Sequence, residues 1–186
     1  MKRIFDLIIG IILLFILLIP FVIISILIKL NSSGPIFYIS RRVGKNNQIF
    51  NMAKFRTMKN DTPQIHSNDL KNPNYYITST GKTLRKYSLD ELPQIIHVIS
   101  GKMSLVGPRP SLENQHLLIE KRNLLGIHRI KPGITGLAQV NGRDEVTLDE
   151  KVKFDYEYTK KQSPLLDLKI LFKTISVVSQ TKGFKH

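Results

Sequence analysis

The first thirty residues are almost entirely apolar and predict one long membrane helix. From Ile4 to Ile28 the only charged residue is Asp6. A helix of about 25 residues is roughly 38 Å long, which is enough to cross a ~30 Å hydrocarbon core. No small-residue cleavage site follows the run, which argues against a removed signal peptide. We therefore assign residues 1–30 to a membrane helix and residues 31–186 to a separate domain.

A proline deep inside this run, Pro20, predicts a kink, because a mid-helix proline removes one backbone hydrogen bond. Both flanks of the run are basic: Lys2 and Arg3 precede it, and Lys29, Arg41, Arg42 and Lys45 follow it. The positive-inside rule would keep both ends cytoplasmic and favours a re-entrant helix. Prolines are also tolerated in spanning helices, so the pattern alone leaves both topologies open.

After residue 31 the apolar segments become short and are separated by turn residues. Residues 36–39 and 49–58 are predicted to be extended, and residues 60–80 form a long polar loop. Helices are predicted at residues 88–100, 111–125 and 147–160, and from Pro164 onward. The predicted fold class is α/β and mostly helical, with short strands.

The last predicted helix carries apolar residues at helical spacing: Leu165, Leu168, Phe172, Ile175 and Val178. Such a stripe is typical either of a core helix or of an amphipathic helix at a membrane interface. The pattern leaves both possibilities open.

The composition adds a strong positive charge. Lys and Arg number 28 against 14 Asp and Glu, giving a net charge of +14. Such an excess indicates an anionic partner: nucleic acid, a phospholipid surface or a phosphorylated substrate. The absence of Trp and an aromatic content of 8% leave few stacking platforms for bases and argue against nucleic acid. With no Cys, the chain has neither a disulfide framework nor a thiolate metal site.

The candidate chemistry lies in residues 88–93. Ser88 and Glu91 have the spacing of a capping box, and Asp90 and Glu91 fall in the first turn of a helix. Ordinary capping would account for these residue types. Carboxylate oxygens also suit Mg²⁺, and adjacent helical residues do not share a face, so we expect the two acids to have different roles.

Several cations accompany this acidic pair. Arg109 lies between two prolines, which hold a guanidinium suited to phosphate; alternatively it pairs with an internal carboxylate. Lys54 and Arg56 are two residues apart and would share one face of a strand, although each on its own is typical of solvated surface. A loop from residue 130 ends at Arg143, and its glycines either let backbone approach a ligand closely or simply make turns.

Five features occur in a fixed order: an apolar helix broken at Pro20, then Lys54–Met58, Leu89–Gln94, Gly107–Pro110 and Pro132–Arg143. Together they resemble the bacterial sugar transferases, which are small monotopic polyprenyl-phosphate phosphoglycosyl transferases. The resemblance covers nearly the whole chain. Any one of these motifs would be weak evidence, whereas the ordered set is specific.

The resemblance implies an enzyme that moves a sugar 1-phosphate from a UDP-sugar to polyprenyl (undecaprenyl) phosphate and releases UMP. This is the first membrane step in the synthesis of a surface glycan such as capsule, exopolysaccharide or lipopolysaccharide. By the same resemblance Asp90 is the nucleophile of a covalent aspartyl-phosphosugar route. Mg²⁺ would lie against Asp90 and the diphosphate, and Glu91 would act as a base or a metal partner.

Other site residues follow from the family pattern. Arg85, Arg109 and Arg143 match phosphate or nucleotide contacts, and Lys54 and Arg56 are weaker candidates. The implied donor carries an N-acetylated amino sugar, with or without a 6-deoxy position, and UDP-GalNAc or UDP-GlcNAc come next. The sequence leaves the stereochemistry of the sugar, the glycan and the oligomeric state open, a homodimer included.

The family also implies a location. Its helix enters and leaves on the cytoplasmic face of the bacterial inner membrane, so the expected partner is the lipid bilayer and not nucleic acid. Many members have Ser before the proline, whereas this chain has Ile19, which removes one contact that would hold the break. The rival function is a membrane-tethered basic module that binds anionic lipid or nucleic acid without chemistry.

Overall fold

The computed structural model describes residues 1–63, 73–142 and 145–180, and most of these residues are helical, as predicted. The helices are α1 (Lys2–Asn31), α2 (Pro73–Tyr76), α3 (Ser79–Lys86), α4 (Ile95–Ile99), α5 (His116–Leu124), α6 (Leu137–Val140), α7 (Leu148–Lys161) and α8 (Pro164–Ser179). The strands are β1 (Phe37–Val43), β2 (Ile49–Phe55), β3 (Ser104–Val106) and β4 (Gly133–Thr135). A 3₁₀ helix, Leu89–Gln94, directly precedes α4.

The first turns of α1 are fixed to the rest of the molecule. Arg3 donates hydrogen bonds to the carbonyl oxygens of Val98 and Ile99 at the end of α4. Asp6 is buried and accepts a 2.8 Å hydrogen bond from the hydroxyl of Ser104 in β3. The N-terminal end of the apolar helix therefore rests on α4 and β3.

The last turns of α1 pack on another part of the same body. Ile24 and Ile28 are buried in a cluster with Phe55 of β2 and Leu84 of α3. Between the two ends many apolar side chains are exposed, although Leu13 and Leu14 pack partly against the core, and only 11% of the most apolar 18-residue window is buried. The helix is long and apolar enough to cross a membrane, with a mean hydropathy of 3.5 in that window.

Pro20 lies inside this helix, whose assignment continues unbroken from Lys2 to Asn31. The predicted kink and the division of the chain at residue 30 stay predictions.

The strands form two small pairs. β1 and β2 make an antiparallel hairpin with Phe37 opposite Phe55 and Val43 opposite Ile49. β3 and β4 pair in parallel. The strand expected at residues 36–39 is thus longer than predicted and includes Arg41 and Arg42.

Three glycines explain how β3 and β4 approach each other. A Cβ built on Gly133 would lie 2.1 Å from the amide nitrogen of Gly107, and one on Gly136 would lie 2.1 Å from the Gly107 carbonyl oxygen. Any side chain there would collide with backbone. These glycines therefore allow backbone to pack on backbone, an arrangement that the sequence interpretation did not consider.

Local signals located several helix ends correctly. Thr147 and Glu150 form the predicted capping box, and Ser163 caps α8, with Pro164 in its first turn. The helix before Gly101 ends there with a φ of +83°, as a glycine terminator predicts.

Other local predictions were wrong. Ser88 precedes the 3₁₀ helix in a left-handed conformation with φ 53°, and its side chain makes no capping hydrogen bond. The helix expected from Ser111 begins only at His116. The long loop at residues 60–80 contains α2 and the start of α3, while residues 64–72 lie outside the described chain.

Candidate active site

Glu91 lies at the centre of a cluster drawn from three separate elements. Its Oε1 lies 2.6 Å from Nζ of Lys54 on β2. Arg109, in the turn after β3, donates from Nη2 to Oε1 at 2.6 Å and from Nη1 to Oε2 at 3.1 Å. This is a two-pronged guanidinium–carboxylate contact, which is among the strong hydrogen-bonded arrangements in proteins. Arg109 therefore pairs with an internal carboxylate, one of the two alternatives considered for it.

The carboxylate charge of Asp90, the residue before Glu91, is much less neutralised by nearby cations. Lys54 Nζ lies 3.8 Å from Asp90 Oδ2, and no residue in the described chain donates a hydrogen bond to this carboxylate. Both acids are similarly enclosed, with side-chain exposures of 13% for Asp90 and 15% for Glu91. Adjacent residues of one helix thus occupy different electrostatic environments.

The pKa values of the two acids diverge accordingly. Burial and the charge of the neighbouring Glu91 raise the pKa of Asp90 more than the nearby cations Lys54, Arg85 and Arg109 lower it. Burial acts on Glu91 as well, but Arg109 and Lys54 outweigh it and hold the pKa of Glu91 well below its usual range. Paired carboxylates with diverging pKa values are typical of sites where each has its own chemical role.

Arg85 approaches Asp90 from α3. Its Nε donates a 2.9 Å hydrogen bond to the hydroxyl of Thr57, just after β2. Burial lowers the pKa of Arg85, and the charge of Asp90 partly opposes that shift. Asp90, Glu91, Arg85, Arg109 and Lys54, all predicted from the sequence, are thus brought together.

Arg56 lies elsewhere. Its Nη2 donates to the carbonyl and the hydroxyl of Ser32, at 2.9 Å and 2.7 Å, and the residue is only 6% exposed. It joins the end of α1 to the end of β2. Its suggested role as a phosphate contact stays a prediction, and so does that of Arg143, which lies outside the described residues.

From the sequence, Arg42 counted only among the basic residues that flank the apolar run, but the structure brings it to the cluster. Arg42 Nη1 donates to the carbonyl oxygen of Pro110 at 3.3 Å, and its Nε donates to the hydroxyl of Ser40 at 3.2 Å. Burial and the adjacent Arg109 lower the pKa of Arg42 to about 10, against the opposing effect of Glu91. A strand predicted to continue to residue 43 would have shown where the Arg42 side chain points, because side chains alternate between the two faces and Arg42 lies on the same face as Ser40.

A second missed residue supports the turn that carries Arg109. Arg122 on α5 donates from Nε and Nη2 to Oδ2 of Asp155 on α7, and from Nη1 to the carbonyl oxygen of Arg109 at 2.9 Å. Both partners of this ion pair are buried. The two residues are 33 positions apart, so no local spacing in the sequence indicates the pair.

His97 on α4 holds β2 beside the cluster. Its Nε2 accepts a 3.0 Å hydrogen bond from the backbone N–H of Ala53, next to Lys54. Burial and the nearby charge of Lys102 lower the pKa of His97, so the ring is neutral near pH 7.

The donor set at this cluster suits a metal ion only in part. Within the described ranges, no group of three or more His, Asp or Glu side chains is placed to hold one. Both oxygens of Glu91 already face cations, which leaves Asp90 as the available carboxylate. Mg²⁺ is commonly bound by one or two carboxylates together with substrate phosphates and water. The residues therefore fit Mg²⁺ if the substrate completes its coordination.

The charge balance favours an anionic ligand. Two carboxylates, Asp90 and Glu91, lie among four cationic side chains: Lys54, Arg85, Arg109 and Arg42. Among the described residues, the cluster has an excess of two positive charges, which a group such as a diphosphate would offset.

Comparison with known proteins places this geometry in context. A family model described as bacterial sugar transferase matches residues 1–181. The exopolysaccharide production protein ExoY of Sinorhizobium fredii is 40% identical, over 98% of this chain and 87% of that protein. The UDP-glucose:undecaprenyl-phosphate glucose-1-phosphate transferase of Escherichia coli is 38% identical, over 94% of this chain but 39% of its own length. An undecaprenyl-phosphate N-acetylgalactosaminephosphotransferase of Aeromonas hydrophila is 36% identical, over 83% of this chain and 38% of that protein.

Proposed function

This chain belongs to the bacterial sugar transferase family, and on that basis we propose that it transfers a sugar 1-phosphate from a UDP-sugar to polyprenyl phosphate and releases UMP. It is a phosphoglycosyl transferase, like the undecaprenyl-phosphate sugar phosphotransferases it resembles. The observation that carries the specific reaction is the weakly neutralised Asp90 beside the clamped Glu91.

In the proposed reaction Asp90 is the nucleophile. One of its carboxylate oxygens attacks the β-phosphorus of the UDP-sugar, and the bond from that phosphorus to the bridging oxygen breaks. UMP leaves with that oxygen, and the sugar phosphate remains on Asp90 as an acyl phosphate. An oxygen of polyprenyl phosphate then attacks the same phosphorus, and the carboxylate leaves. The raised pKa of Asp90 supports this role, because a less stabilised carboxylate is the better nucleophile.

Glu91 takes a different part in this proposal. A carboxylate whose pKa is held well below its usual range is a weak proton acceptor near neutral pH. We therefore assign it the task of orienting Lys54 and Arg109 toward the phosphates, in preference to that of general base. Of the three roles considered from the sequence, the capping box is excluded by the geometry at Ser88.

Mg²⁺ is the proposed cofactor, and Asp90 is the residue that would hold it. When bound, the ion would neutralise part of the charge of the diphosphate. Glu91 is a less suitable ligand, because the ion would have to compete with two cations already in contact with it.

The proposed location is the cytoplasmic face of the inner membrane, with a re-entrant α1. A helix that spans the bilayer separates its ends by ~30 Å of hydrocarbon. Here Asp6 near one end and Ile28 near the other both pack on the same body, which supports a helix that returns to its side of entry.

Helix α8 lies beside the anchor, since Lys2 pairs with Asp167 at 2.7 Å, and it exposes an apolar stripe. Leu165, Phe172 and Ile175 are 64–69% exposed, which supports an interfacial face on a helix whose opposite face packs Ile170 into the core.

Topology is tested by labelling. Single cysteines in a short extension before Met1 and at exposed Ser33, introduced into this cysteine-free chain, should both react with an impermeant reagent only from the cytoplasmic side. Labelling of the two positions from opposite sides would establish a spanning helix instead.

The donor is proposed to be a UDP-N-acetylated amino sugar, on the basis of residues 61–63 and 76–78 in the polar segment. The names of relatives include a glucose and an N-acetylgalactosamine transferase, so a panel of UDP-sugars is required. UMP release that depends on polyprenyl phosphate identifies the donor. No UMP from any donor with folded protein would favour the non-catalytic basic module.

The covalent step is tested without the acceptor. Wild-type protein incubated with the donor and then denatured should gain the mass of one phosphosugar, whereas Asp90→Asn should gain none and should not turn over. Asp149→Asn, which changes an acid with a 78% exposed side chain, is the matched control and should behave as wild type. Turnover by Asp90→Asn at the wild-type rate would rule out Asp90 as the nucleophile.

A further inference from the structure

Arg42 is a half-buried cation whose position the reaction outlined above does not explain. Its hydrogen bonds go to two neutral oxygens, the Pro110 carbonyl and the Ser40 hydroxyl, and no carboxylate in the described chain lies within ion-pair distance. Its neighbour Arg41 is on the other face of β1, where it is 68% exposed and pairs with Glu113 at 3.0 Å. The same strand thus presents one arginine with an acidic partner and one without.

The nearest acid cannot neutralise Arg42, because it is already occupied. Glu91 contacts Lys54 and Arg109, and these contacts engage both of its oxygens. Arg42 and Arg109 therefore stand next to each other as like charges, and the repulsion between them contributes to the lowered pKa of Arg42. Two adjacent guanidinium groups, of which Arg109 contacts Glu91 and Arg42 does not, form an environment that an anion would stabilise.

The strand also places Arg42 away from the membrane anchor. β1 begins at Phe37, whose ring lies 6.1 Å from that of Phe21 in α1. Arg42 follows five residues later, which is about 17 Å along a strand. On the opposite side, Arg85 follows Leu84, which is buried against Ile24 and Ile28 of the anchor. Arg85 thus directly follows a residue that packs on the anchor, whereas Arg42 lies about 17 Å along β1 from the Phe37–Phe21 contact.

From this arrangement we infer that Arg42 binds a phosphoryl group of the diphosphate of the water-soluble nucleotide donor. The inference rests on the proposed function and adds a donor-side contact to it. A guanidinium presents donors in a planar fork that matches two phosphoryl oxygens. Lys54 and Arg109 keep Glu91 in place, Arg85 follows Leu84 next to the anchor, and Arg42 supplies the donor-side contact.

Binding is the first test, because it does not require turnover. Pyrophosphate and UDP are titrated into the full chain in lipid nanodiscs, and affinity is measured by calorimetry for wild type, Arg42→Gln and Arg41→Gln. Arg42→Gln should weaken binding of both ligands on the order of 10- to 100-fold, the range for losing hydrogen bonds to a charged group. Arg41→Gln, on the other face of the same strand, should bind as wild type does.

Kinetics distinguish the donor from the lipid acceptor. Arg42→Gln should raise the KM for the UDP-sugar by at least about tenfold and leave the KM for polyprenyl phosphate within about twofold. Arg42→Lys keeps the charge and loses the fork, so its KM for the donor should lie between those of Arg42→Gln and wild type. It also serves as the test variant if Arg42→Gln does not fold by circular dichroism. An increase confined to the KM for polyprenyl phosphate would overturn the donor-side assignment.

The two proposals fail separately. Equal binding of pyrophosphate by wild type and the Arg42 variants overturns the inference about Arg42, whether or not UMP is released. Binding that depends on Arg42, without UMP release from any donor, retains the anion site and rejects the proposed reaction.

Discussion

Arg122 donates a 2.9 Å hydrogen bond to the carbonyl oxygen of Arg109, so the turn that presents one site cation is held by a residue of α5. Arg122 is in turn fixed by its ion pair with Asp155, at 2.6 Å. The buried ion pair of Arg122 and Asp155 thus supports the turn that carries Arg109.

Breaking this pair from one side should be costly. Arg122→Met leaves the buried Asp155 carboxylate without its cation, and we expect a loss of about 3–5 kcal/mol in the free energy of unfolding. The double variant Arg122→Met/Asp155→Leu should recover much of this stability but not the activity, since the carbonyl of Arg109 still lacks its donor. Chemical denaturation and UMP release measure the two effects. Exposed Arg129→Met is the control, and equal stability of the single and double variants would contradict the argument.

The contact between Glu91 and Arg109 should appear as non-additive kinetics. Glu91→Gln and Arg109→Gln should each lower kcat/KM, and the double variant should lose less than the sum. We expect a coupling of about 0.5–3 kcal/mol, the range for residues in direct contact. The same cycle with Arg41 in place of Arg109 should give additive effects. Additivity between Glu91 and Arg109 would mean that they act independently in the reaction.

The ionised form of Asp90, which is the nucleophile in the proposed reaction, should lower the free energy of unfolding of the protein. Because burial raises its pKa above 3.8, the folded protein binds this proton more tightly than the unfolded chain, and the ionised form costs stability. Asp90→Asn should therefore have a higher melting temperature than wild type at pH 7. The difference should shrink as the pH falls through the folded pKa. Asp149→Asn should show no such gain, and a lower melting temperature for Asp90→Asn at pH 7 would argue against a raised pKa.

The decrease of kcat/KM at low pH should report the raised pKa of Asp90. Since Asp90 must be ionised to attack phosphorus, activity should begin to fall at a pH above the value expected for an exposed aspartate. The pH–rate profile of the wild type measures this decrease.

His97 makes stability depend on pH in the opposite sense. The pKa of His97 is lowered from 6.5, so the unfolded chain binds this proton more readily and the stabilisation is complete only above pH 6.5. As the pH drops below 6.5, the free energy of unfolding should fall by up to about 1.4 kcal/mol per pH unit, until the folded pKa is reached. His97→Asn should lose this dependence, whereas exposed His116→Asn should keep it. Denaturation curves between pH 7.5 and 5.5 provide the comparison, and an unchanged slope in His97→Asn would assign the effect to another group.

The stability of the protein should depend on Lys2, at the N-terminal end of α1. Lys2 Nζ lies 3.0 Å from Asp6 Oδ1 and 2.7 Å from Asp167 Oδ2, and both acids are 2% exposed or less. Lys2→Met leaves two buried carboxylates without this cation, and we expect a loss of about 3–5 kcal/mol in the free energy of unfolding. Exposed Lys169→Met should change it by less than about 0.5 kcal/mol. Unfolding in nanodiscs followed by circular dichroism measures both.

The sequence predicted best what depends on neighbours in the chain. Thr147 with Glu150, and Ser163 with Pro164, begin helices as expected, because a cap needs only residues three or four positions apart. Ser88 and Glu91 have the same spacing but form no capping box, because Arg109 and Lys54 hold the Glu91 carboxylate. Neither cation lies close to Ser88 in sequence, so no local rule could have anticipated the competition.

Motif recognition located most of the cluster, but it did not assign the contacts. Arg56 follows Lys54 at the spacing of one strand face, yet it pairs with Ser32 at the end of the anchor. Arg42 was overlooked because the strand was predicted to stop at Ile39. In the structure β1 continues to Val43 because it pairs along its whole length with β2, which places Arg42 opposite Phe50.

The two-ended attachment of α1 has a consequence for biogenesis. The carbonyl acceptors for Arg3, the hydroxyl that donates to Asp6 and the second carboxylate partner of Lys2 come from α4, β3 and α8, which leave the ribosome much later than the helix itself. Chains are made at roughly 5–20 residues per second, so the apolar helix can enter the bilayer seconds before its partners exist. Insertion would then come first, and the folding domain would assemble against a segment already in the lipid. A truncated soluble form without residues 1–31 would expose Phe55 and Leu84, which the anchor covers, and should aggregate.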